Sequence, residues 1–274
     1  MTSYKLVIAD IDSTLVTEER ILTEHAKDVI ERLYKNGVYF GIASGRSVKM
    51  QLIKQAEEWG IDHQFDIVIG MNGSELWDNV HQKFFDFYKL KKEWIKEIVE
   101  LMAPFNLNPF MYYHDSMLCL RKDTSTVKSS MRNSTPIIVA KQPSDLWQEE
   151  NAKIMFRMPE EMMPEVEAYV NAHPSDNWKA FKTQTTMLEF ADRRISKAVA
   201  LKHFCKDNSL DLSEVIAFGD MSNDDEMIKA AGMGICMKNG SEETKKIAKA
   251  VTEYTNDEDG FARYMEDHFP ELIR

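Results

Sequence analysis

Residues 5–70 alternate short β-branched runs with amphipathic segments, and this alternation limits the possible folds more than any single residue does. KLVIA, VYFGIA and FDIVIG read as buried strands. Between them, 23–36 reads as a helix with Thr23 as its N-cap and Gly37 just past its end, and 47–59 as a helix ended by Gly60. Ala26, Val29, Ile30, Leu33 and Tyr34 recur at helical spacing, so one face of the first helix should cover a sheet. Strand, helix, strand, helix, strand implies a parallel sheet with right-handed crossovers. The same texture returns near the C-terminus, with helices at 197–206 and 223–231 and strands at VIAFG and MGICM.

Between these halves the texture changes. A helical segment at 90–102 precedes strand-like SMLCLRK, TPIIVAK and AKIMFRM, and a helix at 160–172 and strand-like WKAFK follow. That order predicts an α+β insert with a mainly antiparallel sheet. The expected fold class is therefore α/β: a Rossmann-like parallel-sheet core from 1–83 and 189–274, with an inserted cap domain at 84–188.

A chain of 274 residues, 43% apolar and 29% charged, has the length and composition of a soluble globular protein. No run reaches the roughly 18–20 apolar residues of a bilayer span, so no membrane partner is expected. MTSYKLVIAD enters a strand at once, which leaves no room for the apolar core of a signal peptide. Cys119, Cys205 and Cys236 are widely spaced and free of any CxxC pattern, as reduced cytoplasmic thiols would be. The net charge of −11 argues against nucleic acid as a partner. It leaves room for a small phosphorylated metabolite, because a bound divalent cation can invert the local field. No sequence feature sets an oligomeric state.

In a doubly wound sheet, ligands bind outside the carboxyl ends of the strands. Three polar clusters sit at such ends: DIDST after KLVIA, SGR after FGIA, and GDMSND after VIAF. A fourth element, Lys197, opens the helix where the chain re-enters the core. Taken alone, each has a plainer explanation. Asp10 and Asp12 fit a polar turn or another acidic metal-binding pair, Ser44-Gly45-Arg46 a capped loop, and Lys197 a solvated helix start. Together they supply what phosphoryl transfer requires. Asp10 can attack phosphorus in line, and Asp12 can act as general acid and then as general base. Asp10 and Asp220, with the backbone carbonyl of Asp12, offer hard oxygen ligands for Mg²⁺. Ser44, Lys197 and Asn223 offer donors to the phosphoryl oxygens.

The order DxDxT, SGR, a distant Lys and GDxxND resembles the haloacid dehalogenase-like phosphatases. The large insert between the Ser and Lys motifs is similar to that of their Cof-like branch. The likeness extends over nearly the whole chain, including MNGSEL, AAGMGICMKNG and VTEYTNDEDGFARYMEDHF. It implies a Mg²⁺-dependent phosphatase of small metabolites such as sugar or cofactor phosphates, with Asp10 as nucleophile and Asp12 as acid/base. It also implies that the Ile11 N–H, Ser44 and Gly45 hold the phosphoryl group and that Lys197 neutralises charge. Asp220 would ligate the metal directly, Asn223 would contact phosphate, and Asp224 would support the metal shell. Arg46 and Asn72 would lie near the substrate.

Two positions depart from the pattern. Ser13 stands where the branch usually has Gly, which adds strain if that position requires a left-handed backbone. Ala198 follows Lys197 where Gly is frequent. In the insert, Tyr112, Tyr113, His114 and Asp115 form either a specificity loop or a hairpin turn. The 17 methionines read as flexible core filler, and no histidine is assigned to the metal. Two other readings stay open: a sugar phosphomutase or phosphotransferase on the same core, and a non-catalytic regulatory binding protein.

Overall fold

The computed structural model describes residues 4–133 and 135–274. Residues 1–3, which begin the stretch where no leader's apolar core is expected, lie outside them. The chain runs β1 (Leu6–Asp10), α1 (Glu24–Lys35), β2 (Tyr39–Ala43), α2 (Ile53–Trp59) and β3 (Ile67–Gly70), then the hairpin β4 (Glu75–Asp78) and β5 (Lys83–Asp86). Next come α3 (Lys92–Met102), β6 (Pro109–Tyr113), β7 (Ser116–Cys119), α4 (Thr124–Asn133) and β8 (Ile137–Val139). β9 (Lys153–Arg157), α5 (Met163–Asn171), β10 (Trp178–Gln184) and β11 (Met187–Asp192) follow. The chain then adds α6 (Lys197–Asp207), β12 (Val215–Gly219), α7 (Asp225–Ala230) and β13 (Met233–Cys236). It ends with α8 (Glu242–Ile247), β14 (Ala250–Val251) and α9 (Gly260–His268).

Two compact units result. One takes the chain up to Phe87 and from Ser196 to Arg274, and the other is Tyr88–Ile195. The first holds an eight-stranded sheet ordered β14-β13-β12-β1-β2-β3-β4-β5. It is parallel from β14 to β3 and antiparallel at β4 and β5. All five residues of β1 are buried, as expected of a strand covered on both faces. Its side chains alternate between two apolar layers. Val7 and Ala9 join a cluster with Val29, Ile30 and Phe261, while Leu6 and Ile8 join Ala200, Leu201 and Phe204.

Thr23 caps α1, its hydroxyl accepting the Ala26 N–H at 3.1 Å, and Gly37 just past the end has φ +70°. Ala26, Val29, Ile30 and Leu33 are buried as their spacing predicts, but Tyr34 is 47% exposed. It sits at the margin of the apolar stripe, with its ring edge-on to His63 at 5.8 Å.

The inserted unit holds a six-stranded sheet ordered β10-β11-β9-β6-β7-β8, antiparallel except where β7 meets β8. That parallel step needs a crossover, and α4 forms it. Its sequence TSTVKSSMRN has too few large apolar residues to announce a helix. β11 runs through Asp192, past the joint expected near Leu188, and the β4–β5 hairpin extends the core sheet to Asp86. α3 and α5 pack on one sheet face through Ile95, Ile98, Val166 and Val170 against Ile154, Phe156 and Phe190. Among the described residues no helix is long and apolar enough to cross a membrane. All three cysteines are buried and unpaired.

The turn after β3 and the start of α6 approach so closely that only glycine fits. Gly73 has φ +106°, and a Cβ there would lie 2.0 Å from the Ser196 carbonyl oxygen. Gly73→Ala combines a backbone clash with a strained φ and should destabilise by about 3 kcal/mol. The check is the urea midpoint, which should fall with an unchanged slope; an unaltered midpoint would contradict this packing.

Candidate active site

β1 carries Asp10 at its carboxyl end, and the turn Ile11–Leu15 follows directly. Inside that turn Asp12 is extended and Ser13 has φ 60°, ψ 10°. Ser13 therefore occupies a left-handed position that glycine would enter without strain, costing roughly 1 kcal/mol or more. The strained turn is tied down. Asn239 Nδ2 donates to the Ser13 carbonyl at 2.8 Å, and Ser13 Oγ donates to Glu18 Oε1 at 3.1 Å. It also gives the two aspartates different surroundings. Asp10 is buried, whereas the Asp12 side chain is 42% exposed.

Lys197, the first residue of α6, is fully buried, and its Nζ donates to Asp10 Oδ1 and, at 2.6 Å, to Asp224 Oδ1. The other Asp224 oxygen accepts the Asp220 N–H at 3.0 Å and the Met221 N–H at 3.4 Å. Gly219 makes room for this: a Cβ there would lie 2.5 Å from Asp224 Cβ. Asp220 Oδ1 accepts a hydrogen bond from Thr14 Oγ1 at 3.2 Å. Thr14 stands in the DxDxT stretch, but a partner 206 residues away has no local signal in the sequence.

Burial raises the Asp10 carboxyl to about 7, with Lys197 opposing and the Asp224 charge adding to the rise. Asp220 is pushed well above the ordinary carboxylate range by burial and then by the charges of Asp10 and Asp224. Burial works against the Lys197 charge, but the carboxylates of Asp10 and Asp224 outweigh it and hold its pKa above the usual lysine value.

One oxygen each from Asp10, Asp220 and Asp224 lies within 4.8 Å of the others. Three buried carboxyl groups gather around the Lys197 ammonium, and burial pushes Asp10 and Asp220 toward their protonated forms unless a further cation balances them. A divalent cation supplies that balance, and an all-carboxylate donor set suits a hard ion such as Mg²⁺. The residues present therefore fit the metal.

The Asp12 side chain is outside this group. Its Oδ1 accepts from Arg46 Nη2 at 2.5 Å and lies 3.4 Å from Arg20 Nη2, while Arg46 Nη1 also reaches Gln55 at 3.4 Å. The turn after β2 is joined to the turn after β3. The Ser44 carbonyl accepts the Asn72 N–H at 3.0 Å, the Arg46 carbonyl accepts the Met71 N–H at 2.9 Å, and Ser44 Oγ accepts the Arg46 N–H at 3.3 Å. Asn72, at φ 54°, accepts on Oδ1 from Asn223 Nδ2 at 3.4 Å. Ile11 is fully buried behind Asp10, and Gly45 sits between Ser44 and Arg46. The structure thus brings together the ends of β1, β2, β3 and β12 with the first residue of α6. In the inserted unit, Tyr112 and Tyr113 end β6 and His114 and Asp115 make the β6–β7 hairpin turn, with His114 at φ 50° and the Tyr113 hydroxyl donating to Glu149 at 3.2 Å.

A family model for the haloacid dehalogenase-like hydrolases matches residues 7–265. Two Bacillus subtilis proteins named 5-amino-6-(5-phospho-D-ribitylamino)uracil phosphatase are similar over almost the full chain. YitU is 25% identical over 290 residues, spanning 98% of each chain, and YcsE is 26% identical over 263 residues, spanning 94% of this chain and 93% of its own. A crystal structure of a haloacid dehalogenase-like hydrolase from Bacteroides thetaiotaomicron is also similar. It superposes with a TM-score of 0.81 at 26% identity, covering 97% of this chain and all of that one.

Lys197→Met removes the ammonium bonded to Asp10 and Asp224 and leaves three buried carboxylates facing one another. In EDTA it should lower unfolding free energy by roughly 3–5 kcal/mol. Millimolar Mg²⁺ should recover part of the loss in a urea titration. A variant as stable as the parent in EDTA would contradict the charge balance.

Proposed function

This chain belongs to the haloacid dehalogenase-like hydrolases and is a phosphoric monoester hydrolase, and we propose that it cleaves small phosphorylated metabolites, sugar or cofactor phosphates, through an aspartyl-phosphate on Asp10. The observation that carries this reading is the buried cluster of Asp10, Asp220 and Asp224 around the Lys197 ammonium. Mg²⁺ held by those carboxylates and the Asp12 backbone carbonyl would supply charge neutralisation at the phosphoryl oxygens.

The chain's own groups divide the work. Lys197 favours the ionised form of Asp10 and fixes one of its oxygens, leaving the other to attack phosphorus. As the Asp10 O–P bond forms, the ester P–O bond breaks and Asp12 gives its proton to the leaving oxygen. Water then attacks phosphorus, Asp12 takes its proton back, and the Asp10 O–P bond breaks to release phosphate. Arg46 sets the position of the Asp12 carboxylate for both transfers. The Ile11 N–H, Ser44, Gly45 and Asn223 donate to the phosphoryl oxygens, Asp224 orders Lys197 and the Asp220 loop, and Asn72 orients Asn223. A reducing cytoplasm suits the three unpaired thiols. The names of the two Bacillus relatives make 5-amino-6-(5-phospho-D-ribitylamino)uracil the first ester to assay.

EDTA should abolish hydrolysis and Mg²⁺ restore it; full turnover in metal-free buffer would contradict the reading. Asp10→Asn should lower kcat about a thousandfold or more with little change in melting temperature. Asp12→Asn should slow sugar phosphates far more than p-nitrophenyl phosphate, whose leaving group departs without a proton. Equal losses on both esters would remove Asp12 from the acid role.

A further inference from the structure

AAGMGICMKNG and VTEYTNDEDGFARYMEDHF hold none of the groups assigned to the reaction. Both lie in the core unit, the first ending in the loop after β13 and the second running from the end of β14 through α9. Asn239 and Asn256 bring the two stretches together at the turn that follows β1.

Asn239 Nδ2 donates to the Ser13 carbonyl at 2.8 Å, and Asn239 Oδ1 accepts the Asn256 N–H at 3.1 Å. A backbone donor on one side and a carbonyl acceptor on the other allow only one orientation of that amide. Asn256 is buried, and its own Nδ2 donates to the Val16 carbonyl at 3.0 Å. The Val16 N–H donates to the Ile11 carbonyl at 3.1 Å, so Val16 closes the turn that contains Asp12. Asp257 Oδ1 accepts the Glu18 N–H at 2.8 Å. Ser13, Val16 and Glu18 are thus each held by a residue 226 to 240 positions away. The loop that carries Asn239 is itself fixed. The Ser241 N–H donates to the Asp220 carbonyl at 2.8 Å, and a Cβ on Gly240 would lie 2.8 Å from that same oxygen.

A serine at φ 60° relaxes toward negative φ unless its surroundings hold it there. The bond from Asn239 pins the peptide between Ser13 and Thr14, and with it the left-handed step that directly follows Asp12. Asp10 has separate support, because β1 is paired with β12 on one side and β2 on the other. The two aspartates therefore depend on different parts of the fold. We propose that Asn239, oriented by Asn256, positions Asp12 for proton transfer by holding Ser13 in its left-handed conformation. The inference rests on the phosphatase reading, which supplies the role of Asp12. Asn239 acts through the backbone of the turn and is a positioning residue.

Asn239 is exposed, so Asn239→Ala opens no cavity. Phenyl phosphate and p-nitrophenyl phosphate share a ring and differ in how much the leaving oxygen needs a proton. Asn239→Ala should lower kcat for phenyl phosphate about five- to tenfold, the effect of one lost hydrogen bond, with KM within about twofold. The first-turnover release of p-nitrophenol, which needs no proton, should stay within about twofold of the parent. Ser13→Gly removes the strain that the amide opposes, so adding Asn239→Ala to Ser13→Gly should cost less than about twofold. A kcat for phenyl phosphate that matches the parent overturns the inference, as do equal losses on both esters or an equal loss in both backgrounds. Absent turnover of both esters by the parent is instead failure of the phosphatase reading. Amide hydrogen exchange of the peptide spanning 11–18 then still tests the tie: faster exchange in Asn239→Ala supports it, and unchanged exchange overturns it.

Discussion

A fully buried ammonium between two buried carboxylates is the interaction on which the rest of the core depends. Lys197 reaches Asp10 and Asp224 only if α6 begins where it does, and that start is set by the close approach of Gly73 to Ser196. Asp224 in turn reaches Lys197 because Gly219 leaves space for it and because the Asp220 and Met221 N–H groups hold its other oxygen. Removing one member of such a group strands the others in a medium of low polarizability. The surrounding backbone is built to tolerate the group rather than to dilute it.

The same physics separates two aspartates that lie one residue apart. Asp10 ends a strand buried on both faces, and burial raises its pKa. Asp12 sits in extended backbone just before the left-handed Ser13, partly open to solvent and paired with Arg46. One carboxylate shares a buried ammonium with Asp224 and the other faces a guanidinium. That difference in environment is what allows the two to be assigned different steps in one reaction.

Much of this was legible in the sequence, for a physical reason. Continuous β-branched runs mark strands covered on both faces, and polar residues just after them mark the carboxyl ends where Asp10, Ser44 and Asp220 lie. Partnerships between distant residues were not legible. Thr14 bonding to Asp220 and Arg46 bonding to Asp12 are set by which strand ends adjoin, and no local pattern encodes that. β11 continues past the joint expected near Leu188, and because every one of its residues is buried, MLEFAD resembles a core strand. The crossover α4 carries no clear helical signal because it is rich in Ser and Thr, which favour caps and turns over helix interiors.

The account stands or falls on whether Asp10 becomes covalently phosphorylated. The most direct test is mass spectrometry of the Asp12→Asn variant mixed with p-nitrophenyl phosphate and Mg²⁺, followed by rapid acid quench and peptide mapping. Removing the base slows dephosphorylation, so a phosphate adduct should accumulate on the peptide that contains Asp10. An adduct on any other residue, or its undiminished appearance in the Asp10→Asn, Asp12→Asn double variant, would contradict the account.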